Sequence, residues 1–169
     1  MYFTEYLSKV GNLILISDGE NLVGLFFSFS KAMLPSKYLK DLKEDNNLEV
    51  FKDTKLWLDK YFKGEEVSSN DLKILLIGTE FRKKVWQELL NIPYGKTITY
   101  KNLGQIIAQK LGRNKMSAQA IGNAVGHNPI PIIIPCHRVI GSNGDLTGYL
   151  GGLPLKAWLL ELEKKKNIM

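Results

Sequence analysis

The chain has 169 residues, 44% hydrophobic and 24% charged, a globular composition with enough length for one domain or two small ones. No apolar run is long enough to span a membrane, and the start MYFTEYLSKV lacks the pattern of a secretory signal. A single cysteine, Cys136, and two histidines, His127 and His137, exclude an intramolecular disulfide and a Cys- or His-rich metal site, and a lone thiol suits a reducing cytoplasm.

The net charge of +6 is uneven: 10 Lys and Arg against 12 Asp and Glu in residues 1–78, then 13 against 5 in residues 79–169. The second half stays basic without the tail lysines Lys164, Lys165 and Lys166. It is a candidate surface for a polyanion, although a solubilising surface fits the charge equally well.

In chain order, Tyr2–Leu7, Leu13–Ser17 and Leu22–Phe29 read as strands of an antiparallel sheet, with Asp18-Gly19 as a turn. Helices are expected near Ser36–Glu44 and Thr54–Lys63, the second ended by Gly64. A polar connection over 64–71 and the run Leu72–Ile77 lead into the second half. There Thr79 caps a helix with Phe81, Val85, Trp86, Leu89 and Leu90 on one face, stopped by Pro93 and Gly95. Thr99 caps Tyr100–Lys110, and Ser117 caps Ala118–Val125. The turn between those two helices holds Gly112, Arg113 and Asn114, at the length and spacing of a helix-turn-helix. The expected fold is therefore an α/β N-terminal domain, an antiparallel sheet with helices, over residues 1–77. A mainly α C-terminal domain with the helix-turn-helix covers 78–169.

The helix after that turn, SAQAIGNAVG, is built of small residues, including Ala118, Ala120 and Gly122. Glycine inside a helix costs about 1 kcal/mol relative to alanine, so close approach to something is implied. Helix packing is the commoner reason for such a face. Arg113 and Lys115 beside it and the basic background favour a DNA groove. Residues 127–141, HNPIPIIIPCHRVIG, follow. Pro129, Pro131 and Pro135 forbid a regular helix, and the isoleucines demand burial. The chain must carry Cys136 extended through the interior. His137 and Arg138 directly after the apolar run need hydrogen-bond partners, which makes this a polar site rather than plain core. Adjacent side chains point apart, so His137 is not expected to reach the sulfur directly and would act through a water or on another partner. The glycine-rich residues 141–153 lack the Lys-Ser/Thr of a phosphate loop and read equally as a mobile loop or as turns. A last helix, Leu155–Lys165, is expected to turn Trp158, Leu159 and Leu162 inward. Glu163 near its end is disfavoured by the helix dipole unless it has a specific partner such as His137, with Glu161 equally available. Pattern alone puts Glu163 in solvent.

PCHRVIG at 135–141, with GTEF at 78–81, PYGKTITY at 93–100, NPIPIIIPCHRVI at 128–140 and GYLGGLPLKAWLLELE at 148–163, resembles the O6-alkylguanine-DNA alkyltransferases. The likeness runs through the second half almost without a break. It implies DNA repair by direct reversal. The chain would bind double-stranded DNA from the minor groove and flip out an O6-alkylguanine, or an O4-alkylthymine. It would move the alkyl group irreversibly to Cys136, once per molecule. The resemblance also implies the roles. His137, oriented by Glu163, would take the thiol proton through a water. Tyr100 would donate a hydrogen bond to the leaving base, and Asn128 would brace the active-site segment. Val139, Tyr149 and Leu150 would contact the base. Arg113, Lys115, Ser117, Ala118, Gln119, Ala120 and Gly122 would face the DNA. No cofactor or metal is required, and a monomer is expected. The chain departs from the family pattern at Gln119, where an arginine usually fills the gap left by the flipped base.

Two other readings use the same residues. A DNA-binding regulator or lesion sensor would leave Cys136 unconsumed. A cysteine hydrolase would turn over and would need an oxyanion site, for which the sequence has no candidate.

Overall fold

The computed structural model describes residues 1–165, so Lys166 lies outside them. Three strands, β1 (Tyr2–Ser8), β2 (Gly11–Ser17) and β3 (Leu22–Phe27), form an antiparallel meander. The β2–β3 turn is held by Asp18, whose Oδ1 accepts from the N–H of Glu20 at 2.9 Å and of Asn21 at 2.7 Å. Gly19 at its tip has φ +113°, a conformation that only glycine adopts without strain.

The helix expected over Ser36–Glu44 does not form. Pro35 opens one 3-10 turn, Ser36–Tyr38, and Asp41 at φ +53° then redirects the chain. Lys43–Glu44 becomes β4, which pairs parallel to β1 and completes the sheet order β3-β2-β1-β4. The segment offers only Leu39 and Leu42 to pack, against a small cluster of Ile16, Val23 and Leu34. A short helix with so little apolar surface is marginal, whereas the sheet edge supplies backbone partners. The second expected helix does form, beginning earlier, as α1 (Glu49–Phe62). Its buried positions Val50, Phe51, Thr54, Trp57, Leu58 and Tyr61 follow a 3.6-residue period. Gly64, at φ +80°, closes it: Gly64 N–H donates to Tyr61 O and Glu65 N–H to Lys60 O.

The second half contains α2 (Glu80–Leu90), β5 (Ile98–Thr99), α3 (Tyr100–Lys110), α4 (Ala118–Gly126), β6 (Val139–Ile140) and α5 (Leu153–Lys164). Thr79, Thr99 and Ser117 cap α2, α3 and α4 as the sequence predicts, each hydroxyl accepting the N–H three residues on. The α3–α4 turn opens with Gly112 at φ +65°. β5 and β6 pair in parallel, Ile98 opposite Val139. In α5 the inward face differs from expectation. Lys156, Leu159, Leu160 and Glu163 are buried, while Trp158 is 38% exposed. Pattern alone put Glu163 in solvent, but it is buried, and Lys156 is buried on the same helix.

One core joins the halves. Leu13, Leu15, Leu25 and Phe27 of the sheet share it with Trp86, Ile107, Ile130, Ile134 and Cys136. The edge of β3 also holds the segment before Cys136, because Leu25 N–H donates to Pro129 O at 2.9 Å.

Candidate active site

Cys136 is placed by a tight turn that its own sequence builds. The side chain of buried Asn128 spans that turn: Nδ2 donates to Ile134 O at 2.7 Å, and Oδ1 accepts from Ile130 N–H at 2.9 Å. Ile132 between them has φ +75°, which a β-branched residue adopts only under constraint. The bracket and burial supply that constraint. Cys136 N–H then donates to Ile134 O at 2.8 Å, and residues Cys136–Arg138 make a single 3-10 turn.

Behind the thiol lies a closed polar group. Glu163, 1% exposed, receives five donors. His137 Nε2 lies 2.6 Å from its Oε1, and Tyr61 O–H donates to the same oxygen at 2.8 Å. Arg138 forks across the carboxylate, Nε to Oε2 at 2.8 Å and Nη2 to Oε1 at 3.0 Å, and Gly95 N–H reaches Oε2 at 3.2 Å. Arg138 Nη1 is tied to Ile92 O at 2.6 Å. Burial works against ionising Glu163, but the hydrogen bonds of His137 and Arg138 and the charge of Arg138 prevail and hold its carboxyl well below the usual carboxylate range. An ionised carboxylate only accepts, so His137 must donate from Nε2. Its Nδ1 is then the basic nitrogen, and this atom is buried with no protein partner among the described residues. Burial also lowers the pKa of His137, keeping the ring neutral. The Cys136 thiol is pushed up to about 11 by burial, against the opposing influence of Asn128 and Lys156. It therefore rests protonated and needs a base at the moment of reaction.

In front of Cys136 is a cavity of about 240 Å³, lined by Tyr100, Gly122, Val125, Gly126, Asn128, Pro131, Gly148, Tyr149 and Leu150. Its wall from α4 is bare: a Cβ added at Gly122 or Gly126 would meet nothing within 4 Å. The small residues there do not serve helix packing. They leave room. The Tyr149 hydroxyl is buried without a partner among the described residues, and the Tyr100 hydroxyl donates to Thr147 O at 3.4 Å. Lys156 Nζ ties down the loop opposite by donating to Thr147 O at 2.8 Å and Gly148 O at 3.4 Å.

Family models match this chain in both halves. Residues 80–165 match the family model described as 6-O-methylguanine DNA methyltransferase, DNA binding domain, and residues 1–76 match its ribonuclease-like domain. The chain belongs to the 6-O-methylguanine DNA methyltransferase family. A methylated-DNA–protein-cysteine methyltransferase of Methanosarcina acetivorans is 42% identical over 96% of this chain and 98% of its own. One from Haemophilus influenzae is 39% identical over 97% of this chain and 87% of its own. The crystal structure of Mycobacterium tuberculosis OGT in complex with DNA superimposes with a TM-score of 0.83 at 38% identity, covering 98% of this chain and 94% of that one. These likenesses extend the resemblance to the first half, where motifs had not carried it.

Of the residues proposed from sequence, Tyr100, Gly122, Asn128, Cys136, Tyr149 and Leu150 come together around the cavity. His137 and Glu163 meet behind it. Val139 is fully buried in the β5–β6 pair and is not among the residues lining the cavity. Arg113, Lys115, Ser117, Ala118 and Gln119 are exposed along the turn and the first turn of α4, with Ala120 half-buried. Sequence reasoning missed Tyr61, Lys156 and the Gly95 N–H. Tyr61 reads locally as a core aromatic paired with Trp57, and nothing near it signals a partner 102 residues away.

Proposed function

We propose that this protein repairs DNA by direct reversal, moving the alkyl group of an O6-alkylguanine, or of an O4-alkylthymine, onto Cys136. The observation that carries the proposal is the arrangement around the sulfur. Cys136 stands between a basic Nδ1, in the His137–Glu163 pair, and a cavity with the polar groups a base requires. His137 Nδ1 takes the thiol proton through a bridging water, and Glu163 stabilises the imidazolium that forms. The thiolate attacks the alkyl carbon in line. The S–C bond forms as the C–O6 bond breaks, and that electron pair passes to the guanine. Tyr100 donates to the base as its charge develops. The Tyr149 hydroxyl gains a partner when a base enters, with Leu150 beside it in the pocket wall. The thioether is stable, so each chain reacts once.

The cavity holds a base only after it leaves the stack, so flipping precedes chemistry. The bare face of α4 fits the minor groove, with Gln119 beside the emptied position and Arg113, Lys115, Ser117, Ala118, Ala120 and Gly122 along the backbone. The protein acts as a monomer in the cytoplasm, with residues 1–77 and 78–169 as its two domains. The test is intact-protein mass spectrometry after incubation with excess duplex carrying O6-methylguanine. Wild type gains one methyl group and stops, and Cys136→Ser gains none. Tight duplex binding with no mass gain would leave a lesion reader, and continued product release beyond one equivalent would leave a hydrolase.

A further inference from the structure

The Tyr61 hydroxyl reaches the chemistry from the other half of the chain. Tyr61 stands in the last turn of α1, fully buried, its ring stacked on Trp57 at 5.5 Å and edge-on to Tyr94 at 6.2 Å. The ring is packed on both sides, so the position of its hydroxyl oxygen is set. That oxygen lies 2.8 Å from Glu163 Oε1 and 3.4 Å from His137 Nε2. Three groups thus meet at one carboxylate oxygen, and the phenol and the imidazole both donate to it.

We propose that Tyr61 is a positioning residue for the transfer step, supplied by the N-terminal half: it holds Glu163 Oε1 against the Nε2–H of His137 and sets how strongly that histidine takes a proton at Nδ1. The inference rests on the relay proposed above. It has a geometric and an electrostatic side. The bond from Tyr61 fixes Oε1 where the imidazole needs it. It also draws charge from the carboxylate that would otherwise strengthen the pull on the imidazolium. Without the hydroxyl, Glu163 is a stronger partner for imidazolium, and His137 leaves its base form at a higher pH. The other groups facing the pair are Arg138 and Cys136 on the same turn, Gly95 N–H, Tyr94, Tyr149, and Lys156 on α5. All of them remain when the Tyr61 oxygen is removed.

The experiment follows single-turnover alkyl transfer by the full chain between pH 5 and 9, from free O6-benzylguanine and from duplex DNA, with the end point read by intact mass. Wild type, Tyr61→Phe and Tyr94→Phe are compared. The Tyr94 hydroxyl is buried beside Tyr61 but has no partner among the described residues, so Tyr94→Phe controls for the loss of a buried oxygen. For Tyr61→Phe the end point stays at one alkyl group per chain. Its rate at neutral pH falls roughly tenfold on both substrates, as expected for a lost hydrogen bond to a charged group. The acid limb of its rate moves to higher pH, and duplex affinity is unchanged. Tyr94→Phe follows wild type. A Tyr61→Phe rate and limb equal to wild type overturn the proposal, as does a lowered end point with an unchanged rate in the reactive fraction. Should Tyr61→Phe misfold, 3,5-difluorotyrosine at position 61 keeps the shape with a stronger donor and moves the limb to lower pH; an unmoved limb overturns the proposal equally. If wild type itself takes up no alkyl group, the relay reading fails first, and that result is distinct from any Tyr61 outcome.

Discussion

The two sides of Cys136 are built on opposite rules. Behind it, Glu163 takes five donors and Arg138 has three acceptor contacts on two partners. In front of it, two glycines of α4 face open space, a tyrosine hydroxyl waits unpaired, and a cavity of about 240 Å³ stands ready. The back is complete before substrate arrives, so little reorganisation is needed at the moment of transfer. The front is left unfinished because a base must supply the missing contacts. Substitutions behind the sulfur should therefore cost stability along with rate, and those in front should cost rate alone.

The contrast can be broken or sharpened in order of expected effect. Cys136→Ser, at the boundary itself, abolishes alkyl transfer while duplex affinity by titration stays near wild type. Glu163→Ala strips a buried guanidinium of its carboxylate, and breaking such a pair costs about 3–5 kcal/mol. Thermal unfolding should drop by roughly 10 °C, given about 2–4 °C per kcal/mol for a chain of this size. An unchanged melting temperature would contradict the closed back.

Gly122→Leu tests the front. It places a side chain where nothing lies within 4 Å. Helix propensity should raise stability by up to about 1 kcal/mol in denaturant titration. Transfer from duplex should nevertheless fall steeply, because the side chain occupies the cavity and the groove-facing surface. Equal loss of both would erase the distinction between the two sides.

Acid separates the sides without mutation. The folded pKa of His137 is lowered by burial, so the unfolded chain binds that proton more readily. Stability is full above the ordinary histidine value of 6.5 and declines as pH falls below it. Glu163 is also held low, so its contribution is present above 4.5 and is lost as pH falls further. Urea titrations across pH 2–8 should show both steps, and Glu163→Gln should remove the lower one. The smallest effect is expected from Gln119→Arg, which lengthens and charges a side chain on the exposed start of α4. The rate on duplex should rise several-fold, with the rate on free O6-benzylguanine unchanged. Equal duplex rates would show that glutamine already supports the emptied position.

Much of the front was legible in the sequence, because its signals are local. Ser117 caps the helix it precedes, the small residues of α4 recur along one short stretch, and the prolines before Cys136 keep a helix from forming there, although the extended path expected of them is a tight turn at Ile132 instead. The back was not legible in the same way. The dipole argument at Glu163 asked for a specific partner, but the pattern of α5 placed that carboxylate in solvent and Trp158 inside. The same kind of reading drew a helix over Ser36–Glu44, where the edge of β1 offered better partners for the backbone.

Local chemistry, read along the chain, thus determined the caps, the turn glycines, the absence of a helix before Cys136 and the basic second half. Only the tertiary structure decided which charged residues are buried and what satisfies them. A buried carboxylate is stable where several donors converge, and here those donors come from positions 61, 95, 137 and 138 against an acceptor at 163. Periodicity within one helix carries no record of groups that meet across 102 residues of sequence.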